Sequence, residues 1–189
     1  MPRAGSALRL TAAGLAALLL LIIGLRACRF EHRHAYDAMI REAAARHGID
    51  PAIIKAVIKQ ESRFRPWQVG AAGEVGLMQL TSGAVTDWET ATGQRCRYRG
   101  LLFDPRLNIE IGTWYLARAL RRWRKFDEGE MLALAEYNAG LSRAREWAPE
   151  ANDGNVLPRI RFPSTRKYIS NVLRYRERYR DGETGKVGQ

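Results

Sequence analysis

Cysteine is almost missing from this chain: 189 residues contain two, Cys28 and Cys96. Two cysteines build neither a disulfide framework nor a metal-ligand set, so the fold has to rest on an apolar core, and Cys96 reads as a free thiol. Histidine is nearly as scarce. His32, His34 and His47 are scattered without ligand spacing, which leaves no histidine-built metal centre to expect. No stretch alternates apolar and polar residues over strand length, and there is no repeat or low-complexity block, so helix is the only regular element expected. Acids are in deficit: 20 Asp and Glu against 31 Lys and Arg give a formal charge of +11. Such a surplus suits nucleic acid, anionic headgroups or an acidic polymer outside the cell, and much of it lies on amphipathic stretches that read equally well as solvated faces.

Long hydrophobic runs are also lacking, with one exception. "LTAAGLAALLLLIIGL", Leu10 to Leu25, carries no charge and is flanked by Arg9 and Arg26. Its length and place match an export signal retained as a membrane anchor, with the globular part outside the cytoplasm. Cys28 loosely fits a lipid-acceptor pattern, which Arg26 spoils. An exported domain meets little nucleic acid, so none is expected as a partner. The expected organisation is a signal anchor over 1–30 (membrane segment about 10–25), a helical domain over 31–182 and a flexible tail over 183–189.

Helical periodicity runs through the rest. Expected helices cover "HRHAYDAMIREAAARHG", Asp50 to Ser62, "LMQLTSGAVTDWETATG", "IEIGTWYLARALRRWRKF", "EGEMLALAEYNAG" and, capped by Ser164, "STRKYISNVLRYRERY". Arg65–Gly76, "QRCRYRGLLFDPRLN" and "APEANDGNVLPRIRFP" read as loops. In the second helix Asp50 can cap, Pro51 suits the first position, and Ile54, Val57 and Ile58 mark the buried stripe. The next position on that stripe is Glu61. A carboxylate there is costly unless it is paired (with Arg63 or Arg65), neutralised, or opened onto a cleft. Desolvation would raise its pKa, as a general acid requires.

The segment "PAIIKAVIKQESRFRPWQVGAAGEVGLMQLTSGA" resembles the signature of the soluble-lytic-transglycosylase-like family, related to goose-type lysozyme: Glu-Ser ends a helix, then come a glycine loop and Gly-Leu-Met-Gln. "LFDPRLNIEIGTWYL", "LALAEYNAG" and "TRKYI" continue the family's order, and together they cover about residues 36–180. The chain departs from the pattern at Gly70, where the family often has serine, at Thr81-Ser82, and over Ile160–Arg166. The resemblance implies an all-α, lysozyme-like domain with a glycan-binding groove and no metal or cofactor. It places the catalytic acid at Glu61 and substrate-binding residues at Ser62, Met78, Gln79, Tyr137, Asn138 and Tyr168. The implied reaction cuts the β-1,4 bond between N-acetylmuramic acid and N-acetylglucosamine in peptidoglycan. Glu61 protonates the linking oxygen, the substrate's N-acetyl group supports the cationic centre, and the ionised Glu61 then takes the C6 hydroxyl proton to give a 1,6-anhydro product.

Two alternatives stand beside this reading. A second acid at Glu74, Asp87, Glu89 or Glu136 could activate water and make a lysozyme-type hydrolase. A wall-binding or assembly protein could keep the fold without turnover. Trp67 and Trp88 are candidate sugar-stacking residues or ordinary packing. A small anchored domain also suits local gap-making for an envelope-spanning machine, which is a candidate partner.

Overall fold

In the computed structural model, the described residues are 14–23, 34–150 and 154–184. The chain divides into residues 1–37 and 38–189. In the first unit, the described residues 14–23 are helical (α1) and their leucines are exposed. The rest of the expected membrane segment, together with Cys28 and His32, lies outside the described residues. Among the described residues no helix is long and apolar enough to cross a membrane.

The second unit is helical throughout its regular structure: α2 (Asp37–His47), α3 (Pro51–Glu61), α4 (Ser82–Thr92), a 3-10 turn (Arg99–Phe103), α5 (Pro105–Trp123), α6 (Gly129–Ala139), α7 (Leu141–Trp147), α8 (Val156–Arg159) and α9 (Pro163–Thr184). α3 lies against α9, α5 against α4 and α6, and α6 against α7 and α9. His47 closes α2 on Glu110 of α5, with Nε2 2.7 Å from the carboxylate, which makes it a bracing residue.

Local chemistry sets α3. The Asp50 carboxylate accepts from the Ala52 N–H at 2.8 Å and Pro51 opens the first turn. The expected stripe proves too narrow: every residue from Ala52 to Ile58 is buried, Lys55 included, with its ammonium 5.3 Å from the Tyr179 ring centre. α3 is therefore an interior helix. Each fully buried isoleucine on it contributes roughly 2–3 kcal/mol.

Three expectations change. The helix expected from Leu77 begins at Ser82, capped by Thr81 Oγ1 on the Ala84 N–H at 3.2 Å. Leu77–Leu80 cannot join it, because the Met78 N–H goes to Asn108 Oδ1 at 2.8 Å and Gln79 takes a left-handed φ of 48°. Val75 and Leu80 instead exchange both backbone hydrogen bonds, at 3.1 and 3.0 Å. The expected loop 94–108 holds the 3-10 turn and the start of α5, where Asp104 caps Leu107 and Pro105 takes the first position. The last helix starts at Pro163, one residue before the expected cap, and the preceding stretch contains α8. α9 reaches Thr184, and 185–189 lie outside the described residues.

Candidate active site

Four segments bring the candidate residues together. The C-terminal end of α3 carries Glu61, and the loop after it carries Gly70, Glu74, Met78 and Gln79. The last turn of α6 carries Tyr137 and Asn138. The first turns of α9 carry Thr165 and Tyr168.

α3 stops where it does because Ser62 turns inward. Ser62 is fully buried, its N–H and Oγ both donate to Ile58 O at 3.1 and 3.2 Å, and Arg63 and Phe64 follow in left-handed conformations. The chain leaves the helix axis at once and Glu61 stays at its rim. Ser62 is thus part of the helix stop and offers no surface to a ligand. Arg65, weighed above as a partner for Glu61, donates from Nε to Ser62 O at 3.0 Å instead.

The Glu61 carboxyl meets a phenol. Tyr168 Oη donates to Oε1 at 2.8 Å. Burial raises the Glu61 pKa from 4.5 to about 7, with Glu74 adding to the rise and the Tyr168 hydrogen bond opposing it. Both neighbouring phenols respond: burial, then the charge on Glu61, raises Tyr137 and Tyr168 well above the usual tyrosine range. They stay protonated donors at any working pH.

The loop is held from below. Asn108 is fully buried: its Oδ1 takes the Met78 N–H, and its Nδ2 donates to Val75 O at 2.9 Å and Leu102 O at 2.8 Å. The Met78 side chain lies on Gly112 of α5, where an added Cβ would stand 2.5 Å from the sulfur. Met78 is accordingly core, and its contribution to the site is its carbonyl, which accepts from Tyr137 Oη at 2.8 Å. Gln79 is tied by its amide nitrogen to Gly76 O at 2.8 Å and Gln68 O at 3.1 Å. Asn138 is exposed, and Thr165 donates to its Oδ1 at 2.8 Å, which leaves the amide nitrogen as the end available to donate outward.

The other acids are occupied elsewhere. Asp87 pairs with Arg118 at 2.9 Å, and Glu89 accepts the Cys96 N–H at 2.7 Å. Glu136, buried, is taken by Arg122 and by Trp123 Nε1. Trp88 is buried in the core while Trp67 is exposed. Asn108 and Thr165 were not singled out from the sequence. Asn108 did carry a signal: like Glu61, it is a polar residue on an apolar helix stripe, three and four positions before Ile111 and Gly112.

One desolvated carboxyl at the rim of an interior helix, hydrogen-bonded to a phenol in an all-helical domain, is the arrangement of a lysozyme-like protein. The Transglycosylase SLT domain family matches residues 38–156. The chain belongs to that family. It is 32% identical over 151 residues to a soluble lytic murein transglycosylase of Salmonella typhimurium, and 36% identical over 153 residues to a membrane-bound lytic murein transglycosylase F of Desulfosudis oleivorans. These matches cover 77% and 79% of the chain, but only 23% and 31% of the relatives. The structure of an inactive mutant of lytic transglycosylase Slt from Pseudomonas aeruginosa superimposes with a TM-score of 0.71 at 28% identity, over 82% of this chain and 25% of that one.

Proposed function

We propose that this chain is a peptidoglycan lytic transglycosylase that cuts the β-1,4 bond between N-acetylmuramic acid and N-acetylglucosamine, with Glu61 as its one catalytic acid. The observation that carries this reading is the Glu61 carboxyl with its pKa near 7, hydrogen-bonded to a phenol and to no cation among the described residues. Tyr168 donates to Oε1, so the acidic proton sits on Oε2 and is delivered from there to the linking oxygen. The bond breaks with its electrons on the leaving sugar. The ionised Glu61 then takes the proton of the C6 hydroxyl as that oxygen closes on C1. Tyr168 keeps the carboxyl oriented through both transfers. Asn138, Gln79 and Tyr137 line the glycan groove: Asn138 offers its amide N–H to an acetamido or hydroxyl oxygen, while Ser62 and Met78 act from within the fold. The excess positive charge suits the free carboxylates of the wall peptide.

Products decide between this reaction and hydrolysis. Digestion of purified peptidoglycan should yield muropeptides ending in 1,6-anhydromuramic acid, lighter by one water than the hydrolytic products in mass spectrometry. Reducing-end muramic acid as the main product would make the protein a hydrolase, and undigested wall would favour the binding reading.

The apolar run over residues 10–25, whose described leucines on α1 are exposed, is proposed to hold the domain at the outer face of the membrane. Fractionation of cells should find the full chain with membranes, and a form whose residues 1–30 are replaced by a cleavable export signal in the soluble extracytoplasmic fraction. Equal solubility of the two would remove the anchor.

A further inference from the structure

Asn138 and Thr165 are paired across two helices. Asn138, in the last turn of α6, is exposed, while Thr165, in the first turn of α9, is 2% exposed. The Thr165 hydroxyl donates to Asn138 Oδ1 at 2.8 Å, and among the described residues it makes no other hydrogen bond. That contact decides which end of the amide is left for a ligand. Turned over, the amide would offer Thr165 a donor in place of an acceptor, and the buried O–H would be stranded. The oxygen is therefore spent inside the fold, and the N–H groups of Nδ2 remain without a partner among the described residues. Thr165 and Tyr168 are three residues apart and share a face of α9. Thr165 thus stands about one helical turn, roughly 5 Å along the axis, from the phenol that holds the Glu61 carboxyl.

Resting on the activity argued above, we propose that Thr165 is a positioning residue that fixes Asn138 as a hydrogen-bond donor, and that through it the groove accepts N-acetylated glycan and refuses glycan whose amino groups are free. An acetamido group carries a carbonyl oxygen that can take the Asn138 N–H. A glucosamine amine, charged below neutral pH, carries donors alone, so at Asn138 it sets donor against donor. The amide oxygen that would have received it is already held by Thr165. Gln79 is fixed in the opposite sense: its nitrogen is spent on the Gly76 and Gln68 carbonyls, so it offers no second donor to an acetamido oxygen. Discrimination at this position rests on one amide, whose sense a buried hydroxyl sets.

The test is the binding of two trisaccharides to the full chain in detergent near pH 5, where free amines are charged. The ligands are tri-N-acetylchitotriose and its fully de-N-acetylated counterpart, titrated by calorimetry. Thr165→Val keeps the volume, removes the donor and lets the amide turn either way. Net charge is unchanged, so general repulsion between a basic protein and the amines cancels when the chains are compared. The preference for the acetylated trimer should shrink on the order of tenfold, the worth of about one hydrogen bond, chiefly because the amine trimer binds more tightly. A merely structural role for Thr165 would not produce a gain in affinity. Thr165→Ser should keep the preference of the unaltered chain. Asn138→Asp, a surface change that leaves acceptors alone, should favour the amine trimer. An unchanged preference in Thr165→Val overturns the proposal, as does Thr165→Ser behaving like Thr165→Val, an Asn138→Asp chain that still prefers the acetylated trimer, or failure of both trimers to bind the unaltered chain. Should the chain cut no peptidoglycan while the preference still depends on Thr165, the positioning role stands and the assigned activity fails instead.

Discussion

With Glu61 as the proposed catalytic acid, its replacement by Gln should lower peptidoglycan cleavage by about three orders of magnitude, within the range that a general acid contributes, and should make the protein more stable above neutral pH. Both effects have one cause. In the folded chain the carboxyl holds its proton up to a pKa of about 7, against an ordinary value of 4.5. Below the ordinary value both states are protonated and the group costs nothing. As the pH rises toward 7, the unfolded chain releases the proton and the folded chain retains it, so stability falls. Above 7 the full penalty is present, on the order of 3 kcal/mol. It is offset by burial elsewhere on α3, where a single fully buried isoleucine contributes about as much. Glutamine keeps the volume and can still accept from Tyr168, but it does not titrate. Urea denaturation of the two proteins should therefore coincide near pH 4 and separate near pH 8, with Glu61→Gln the more stable. Two results would contradict this: undiminished clearing of wall by the variant, or stability curves that run parallel across the whole range.

The second large effect is expected far from any sugar. Asn108→Leu should destabilise the domain by about 2–5 kcal/mol, since each buried polar group left without a partner costs roughly 1–3 kcal/mol. Two groups are stranded, the Met78 N–H and the Leu102 carbonyl. Val75 O keeps the Leu80 N–H at 3.0 Å and is spared. For a small domain this is a large share of the whole stability, and the melting temperature should drop on the order of 10 °C. The activity of the remaining folded protein should fall as well. Met78 O positions Tyr137, and Gln79 stands in a left-handed conformation that the Asn108 bonds enforce. Thermal melts and specific activity corrected for folded protein check both halves. A loss under about 1 kcal/mol with unchanged activity would show that the loop holds its shape without Asn108.

Helix α3 and its acid were legible from the sequence because their causes are local. A cap at Asp50, proline at the first position and apolar residues at spacings of three and four are written within a dozen residues, and Glu61 stands out as the polar intruder on that stripe. The same local grammar misplaced the start of α4, for a reason that is not local. "LMQL" has ordinary helical composition, and it is denied the helix by a hydrogen bond to a residue 30 positions later. Met78 and Ser62 show the same limit. Their neighbourhood in the motif suggested contact with a ligand, and the packing of α5 and the turn after α3 put both side chains inside.

The sequence by itself determined an all-helical domain, its family and the place of the candidate acid at the end of α3, since helix periodicity, caps and short motifs depend only on near neighbours. The tertiary structure alone decided the state of that residue. Tyr168 lies 107 positions from Glu61 and reaches it only because α9 packs along α3. Tyr137 is held at the site only because a loop pinned by Asn108 presents the Met78 carbonyl to it. A carboxyl's pKa is set by what stands within a few ångströms of it, and for Glu61 those groups come from distant parts of the chain.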